Sequence, residues 1–341
     1  MTKSPQYRVA ILAIKVLVSA GGIAWLLLTV QWNLIVEKIV AVNWGIMGVA
    51  FALSTLCLLP CSLRWQKITH WCGYPMTLRE SVYCYLVGHF FGAFLPTGQG
   101  GDVVRAVLAS KSHGFSLGGI GGTILMERFI GLLVTIVLIT FGSLMGLSQI
   151  AVLKQLLTSV SVLSIILVAL ITIYLNRRFR KFFLELMARF PIRRIRRVIN
   201  DAVRVLDICR KNPSLILSTV SLSFLNQLLV LLAGFLMATA IPGFKAPWFS
   251  FPVVIPLIFI AVLLPSVGGY GVREASFVIF FGWFGVSEEA AVTYGILRLL
   301  SLWGVSLLGG ILFLAGRSGG HHERTLASEL GKRYSQDASQ R

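Results

Sequence analysis

Arginine is expensive inside an apolar membrane segment, and this sequence places four there at matched positions, two of them closing a repeated phrase. The first copy reads Leu95-Pro96-Thr97-Gly98-Gln99-Gly100-Gly101-Asp102-Val103-Val104-Arg105-Ala106. The second reads Leu264-Pro265-Ser266-Val267-Gly268-Gly269-Tyr270-Gly271-Val272-Arg273-Glu274-Ala275. Pro96 and Pro265 remove a backbone donor and end an incoming helix, while Gly100, Gly101, Gly268 and Gly269 permit a sharp reversal and close backbone approach. An outgoing helix that starts near Gly101 or Gly269 turns free N–H groups and its positive dipole end toward the break, where an anion such as phosphate is stabilised. Arg105 and Arg273, about one turn further on, add a permanent charge whose planar fork matches phosphate. Asp102 and Glu274 stand beside them as ion partners or as helix caps. The arginines bind a ligand anion or pair with these acids to hold the breaks together, and the two roles are compatible.

More charges follow each phrase. Glu127 and Arg128 lie in the apolar segment after the first, and Arg298 lies in the one after the second. Ionisable groups in such segments face a bundle interior or a wet cavity. Four arginines against Asp102, Glu127 and Glu274 leave a cationic excess that favours an anionic substrate group. Lys15 is placed to snorkel to an interface, and Asn226 and Gln227 to hydrogen-bond between helices. His89 is expected to be a packed core histidine. The sequence has no GxxxxGK[ST] loop, no HExxH and no metal-ligand spacing, so no cofactor is expected.

The elements that must carry these residues are membrane helices. Of 341 residues, 56% are hydrophobic and only 13% charged, with a mean hydropathy of +0.82, against about 25% charged in a soluble domain. The net charge of +18 sits in loops beside apolar segments, where anionic lipid and topology account for it. Nucleic acid is not expected as a partner, since no reading module accompanies the charge. The five cysteines are read as small apolar packers. Gly118 with Gly122 and Gly142 with Gly146 read as close helix packing within the chain. Trp32, Trp44, Trp65, Trp71 and Trp248 fall near the ends of apolar segments, as interfacial tryptophans do.

Full spans are expected at about 9–30, 43–63, 118–147, 151–175, 214–240 and 289–315, with the first uncleaved. The two remaining apolar stretches, about 80–110 and 251–285, are the ones interrupted by the repeated phrase. The segment 177–211 holds twelve Lys/Arg against three acids and should be cytoplasmic, like the basic N-terminus, the 64–79 loop and the tail from Arg317. That holds only if 80–110 enters from the cytoplasm and returns. The same logic makes 251–285 a hairpin entering from outside. The expected fold is therefore all-α and polytopic. It has six full spans and two opposed re-entrant hairpins in an inverted repeat, with both termini cytoplasmic. The domain covers 1–316, including an amphipathic segment at 177–211 that lies on the leaflet or packs as a soluble connector. A flexible tail occupies 317–341.

The first phrase, the Glu127-Arg128 pair and the second phrase, in that order, resemble the lysylphosphatidylglycerol synthase transmembrane-region family. Those flippase-like proteins are similar to the N-terminal part of the multiple peptide resistance factor. The resemblance covers roughly 10–315 and implies a multi-pass protein of the cytoplasmic membrane that moves lipid between leaflets. It implies an anionic phospholipid or a polyprenyl-linked lipid as cargo, with lipid-pathway enzymes as possible partners. The cytoplasmic aminoacyl-transferase domain of the fused relatives has no counterpart in this sequence, so transport without lysylphosphatidylglycerol synthesis is expected. Two other readings stay open. One is a membrane transferase with Asp102 or Glu127 as base; the other is a non-transporting subunit that presents lipid to a separate enzyme.

Overall fold

The computed structural model describes residues 5–94, 100–147, 150–175, 200–201, 203–205, 207–208, 211–262, 264, 266 and 268–318. Pro96, Pro265, nearly all of the expected amphipathic segment and the tail beyond 318 lie outside these residues. Among the described residues every regular element is helical. In chain order they are α1 (Pro5–Thr29), α2 (Trp32–Val40), α3 (Trp44–Leu56), α4 (Leu58–Trp71), α5 (Leu78–Phe94) and α6 (Gly100–His113). There follow α7 (Leu117–Met145), α8 (Ala151–Leu175), α9 (Pro213–Thr239), α10 (Phe251–Ala261), α11 (Val272–Gly282) and α12 (Glu288–Ser318).

Among the described residues four helices are long and apolar enough to cross a bilayer, Trp44–Trp71, Leu117–Met145, Pro213–Thr239 and Glu288–Ala315, or five if the bent pair Val16–Thr29 and Trp32–Val40 counts as one span. The chain is a helical membrane protein. Helix α1 turns by 88° into α2, which presents Trp32, Leu34, Val36 and Val40 outward while burying Ile35. Helices α3 and α4 form one span. Pro60 has no N–H to offer the Leu56 carbonyl, which loosens the ladder at Cys57 without ending the span. That span continues to Trp71, so Arg64 and Trp65 belong to a helix, not to the loop that the 43–63 boundary implied.

The interrupted stretches fold back on themselves. Helices α5 and α6 run antiparallel, for Glu80 in the first turn of α5 meets His113 at the end of α6, with Oε1 and Nε2 3.1 Å apart. Gly88 and Gly101 let the backbones touch: a Cβ on Gly88 would lie 2.9 Å from the Gly101 carbonyl oxygen. In the second hairpin, Phe251 at the start of α10 meets Phe281 near the end of α11, with ring centroids 5.5 Å apart. Tyr74, before α5, bonds Ser116, before α7, and Ser116 also bonds Asp201. The Asn43 N–H donates to the Ala240 carbonyl and Phe249 packs on Phe284. The two helices of each interrupted stretch thus lie antiparallel to each other.

The glycines serve different purposes in the two copies. Gly100 and Gly101 already lie in α6, where the need is close approach. Gly269 and Gly271 have φ of +84° and +79°, which an L side chain adopts only under strain. A Cβ on Gly271 would also strike the Ser19 carbonyl of α1. Gly271→Ala is therefore expected to cost about 2–4 kcal/mol, from the left-handed backbone and the overpacking together. Gly282→Ala, which meets open space, should be near neutral. Comparing the apparent unfolding temperatures of the two variants in detergent checks this. Gly142 and Gly146 pack within the chain as expected: a Cβ on Gly142 would sit 2.8 Å from Val253 of α10, and one on Gly146 2.6 Å from Phe249.

The Glu80–His113 pair closes the base of the first hairpin outside the spanning helices. Its hydrogen bond to Glu80 raises the His113 pKa above 6.5. The bond from His113, with those from Thr77, lowers the Glu80 pKa to about 2. The histidine contribution is full below pH 6.5 and is lost as pH rises through its raised value; the carboxylate contribution is full above pH 4.5 and is lost on approach to pH 2. The clamp is complete between those ordinary values. Unfolding temperature should therefore fall as pH rises from 6.5 through the raised His113 value in the parent protein, and this step should vanish in His113→Gln.

Candidate functional site

The first-half charges assemble around one carboxylate. Glu127, on α7 and 3% exposed, receives four donors. Arg64 of α4 gives Nε at 3.2 Å and Nη2 at 2.7 Å to Oε1, and the Tyr85 hydroxyl of α5 donates to the same oxygen. Arg105 of α6 gives Nη2 to Oε2 at 2.7 Å. Oε1 thus takes three donors and Oε2 one, out of the carboxylate's roughly four acceptor positions. Arg64 also donates Nη1 to Ser223 of α9 at 2.7 Å. The Arg105 guanidinium lies between the rings of Trp65 and Tyr85, 4.5 and 4.2 Å from their centroids. Trp65 is fully buried and donates to Thr123, so it is no interfacial tryptophan, whereas Trp32, Trp44, Trp71 and Trp248 are exposed as expected.

Asp102 completes this half as an ion partner. Its Oδ2 accepts from Arg128 Nε at 2.8 Å and Nη2 at 2.7 Å, and its Oδ1 lies 3.5 Å from Arg105 Nη2. The Arg128 side chain remains 63% exposed, so it is held at one edge and open at the other. Arg64, Arg105 and Arg128 against Asp102 and Glu127 leave a single positive excess.

The second half is built otherwise. Arg273 is the second residue of α11, closer to the break than the first-half spacing suggests. Its Nη2 reaches the Gly268 carbonyl at 3.3 Å, and its guanidinium stands 6.0 Å from the Tyr270 ring centroid. Its Nη1 is buried without a hydrogen-bond partner. Glu274 turns back to cap its own helix, accepting from the Gly271 N–H at 2.8 Å. Arg298 of α12 gives Nη1 to Ser54 of α3 at 3.2 Å. Among the described residues, neither Arg273 nor Arg298 has a carboxylate within 4.0 Å.

The halves meet at the breaks. The Tyr270 hydroxyl donates to the Ala93 carbonyl at 3.1 Å, just before the first break, and accepts from Trp303 Nε1 of α12 at 3.0 Å. Gly309 and Gly310 let α12 lie against Leu86 and Phe90 of α5. His89 sits in this seam, half-buried, its carbonyl accepting from Ser306. Asn226 and Gln227 bond across helices to Cys61 and Thr135 as the sequence suggested.

Of the sequence-nominated residues, Arg105, Asp102, Glu127 and Arg128 therefore form one bonded cluster. Arg273, Glu274, Gly268 and Gly269 form a second site around the other break, with Arg298 near it. Sequence reasoning missed Arg64, Trp65, Tyr85 and the seam position of His89. One signal for Arg64 was present: no Gly or Pro falls between Cys61 and Gly73 to end the span.

The family model for the lysylphosphatidylglycerol synthase TM region matches residues 12–309. A UPF0104 membrane protein of Archaeoglobus fulgidus is 22% identical over 272 residues, spanning 76% of this chain and 83% of its own.

Proposed function

The chain belongs to the lysylphosphatidylglycerol synthase TM-region family, and from that premise we propose that it moves a phosphate-bearing lipid between the leaflets of the cytoplasmic membrane. The observation that carries this reading is the pair Arg273 and Arg298, two cations that have no carboxylate within 4.0 Å among the described residues, Arg273 also having a buried Nη1 without a hydrogen-bond partner. Such charges call for an anion. The headgroup phosphate binds Arg273 and Arg298 at the junction of the breaks, Arg128 lines the path, and the acyl chains stay in lipid. The first-half cluster is the rigid wall of the site, and Arg105 acts through it.

Two opposed hairpins with six spans, both termini inside, give this site access from either leaflet. The basic segments decide which face is cytoplasmic. Each acid is held by two guanidinium groups, which stabilise its charge and so weaken it as a general base. The test is reconstitution into vesicles of phosphatidylcholine with a fluorescent phosphatidylglycerol. Protein-dependent exchange of the label between leaflets, lost in Arg273→Ala, is the expected result. No exchange by the parent protein would end the proposal.

A further inference from the structure

Leu117, Gly121, Leu125, Arg128 and Leu132 follow one another on α7 at spacings of three or four, so they share one helix face. Leu117, Leu125 and Leu132 are exposed, and a Cβ on Gly121 would meet open space. This face therefore looks onto lipid, and Arg128 puts a charge on it, with its side chain 63% exposed. Helix α7 has 29 residues, a length of about 43 Å, against a hydrocarbon core about 30 Å thick. Arg128 stands about 16 Å from the Leu117 end, within the depth of that core. An arginine so placed ordinarily snorkels to the interface. Here Nε and Nη2 are pinned to Asp102 Oδ2 at 2.8 and 2.7 Å, while Nη1 has no hydrogen-bond partner among the described residues.

The cluster behind this side chain sets what its open edge can take. Arg64, Arg105 and Arg128 exceed Asp102 and Glu127 by one positive charge. Arg64 and Arg105 are only 10% and 4% exposed, so the excess is presented at Arg128. A single positive charge on a lipid-facing surface suits a singly charged anion with an apolar body, which describes a phosphodiester lipid. We propose that the open edge of Arg128 is a lateral docking site for the phosphate of a phosphodiester lipid, drawn below the leaflet surface from the surrounding bilayer. Asp102 holds the guanidinium from one side and leaves Nη1 free for the phosphate oxygens. Because Asp102 lies in the first turn of α6, the docked headgroup stands beside the first break. That the docked lipid goes on to Arg273 and Arg298 rests on the transport reading above; the docking itself does not.

The decisive experiment places the full chain in phosphatidylcholine nanodiscs with a phosphatidylglycerol that carries a photoreactive diazirine on its headgroup glycerol. After illumination the labelled residues are mapped by peptide mass spectrometry. Ordinary surrounding lipid keeps such a headgroup at the interfaces and labels helix ends. The expected result is label within residues 121–132 of α7, cleared by added unlabelled phosphatidylglycerol. Arg128→Gln should lower it by about three- to tenfold, the worth of a charge-assisted hydrogen bond. Leu125→Glu sets a carboxylate one turn from Arg128, where it competes for the open edge without touching Asp102. It should lower the label as far, whereas Leu125→Gln retains it. Label confined to helix ends in the parent, or unchanged in both charge variants, overturns the docking site. Glycerophosphoglycerol in the buffer should not clear the label; clearance equal to that by the lipid would overturn the lipid assignment. Leaflet exchange in vesicles is measured alongside. Exchange without label on this stretch overturns the docking site and leaves the transport reading standing, and label without exchange does the reverse. The map of the parent protein needs no variant, so a misfolded Arg128→Gln would not leave the question open.

Discussion

Replacing Glu127 with alanine is expected to destabilise the protein by about 3–5 kcal/mol, the cost of leaving buried cations without their partner. Arg64 and Arg105 both lose their carboxylate, and the Tyr85 hydroxyl loses its acceptor. The three helices that deliver these donors, α4, α5 and α6, would lose the group that ties them to α7. Glu127→Gln should fall between alanine and the parent, because an amide keeps one acceptor oxygen but not the charge. Equilibrium unfolding in mixed micelles, followed by tryptophan fluorescence, measures this directly, since Trp65 reports on the cluster. A Glu127→Ala protein as stable as the parent would mean that the cluster is not closed as described.

Alanine at Arg273 and at Arg105 should have opposite signatures, although the repeated phrase makes them look equivalent. Arg273 has no carboxylate partner among the described residues and a buried Nη1 without an acceptor, so removing it relieves a cost and leaves the fold standing. Transfer of the fluorescent lipid should fall by about 10–100-fold, the worth of one or two charge-assisted hydrogen bonds to phosphate. Arg105 is 3% exposed, paired with Glu127 and sandwiched between two rings. Its loss should cost about 2–5 kcal/mol of stability, with transport falling chiefly through loss of folded protein. The check is to measure leaflet exchange per folded molecule beside the unfolding temperature for both variants. The reverse pattern would move the anion seat into the first half.

The near-equivalence of the two phrases in sequence hid this asymmetry. Matched Gly-Gly and Val-Arg spacing says that two helices begin alike, but not which carboxylate each arginine meets. Glu127 has no charged counterpart on α12 at the matching place, and Glu274 is spent on capping its own helix. The first-half cluster also draws on Arg64, 63 residues before Glu127, and pairings over that distance leave no periodicity to detect. Arg64 imitates a topology signal because a hydropathy reading stops a span at its first charge. Trp65 imitates an interfacial residue for the same reason.

What the sequence determined by itself was the membrane class, the helices and the places where two of them break. Apolar length, charge sidedness and the backbone limits of proline and glycine are local properties, and each can be read along one strand of text. It also determined the family, since three motifs in order carry that resemblance. The tertiary structure alone decided the partners. Folding turned one copy of the phrase into a bonded ion cluster and left the other with cations that have no carboxylate within 4.0 Å among the described residues, because charge neutralisation depends on which helices pack side by side. The physical reason is distance: an ion pair is made or lost within about 4 Å, and that scale is set by packing between helices far apart in the chain.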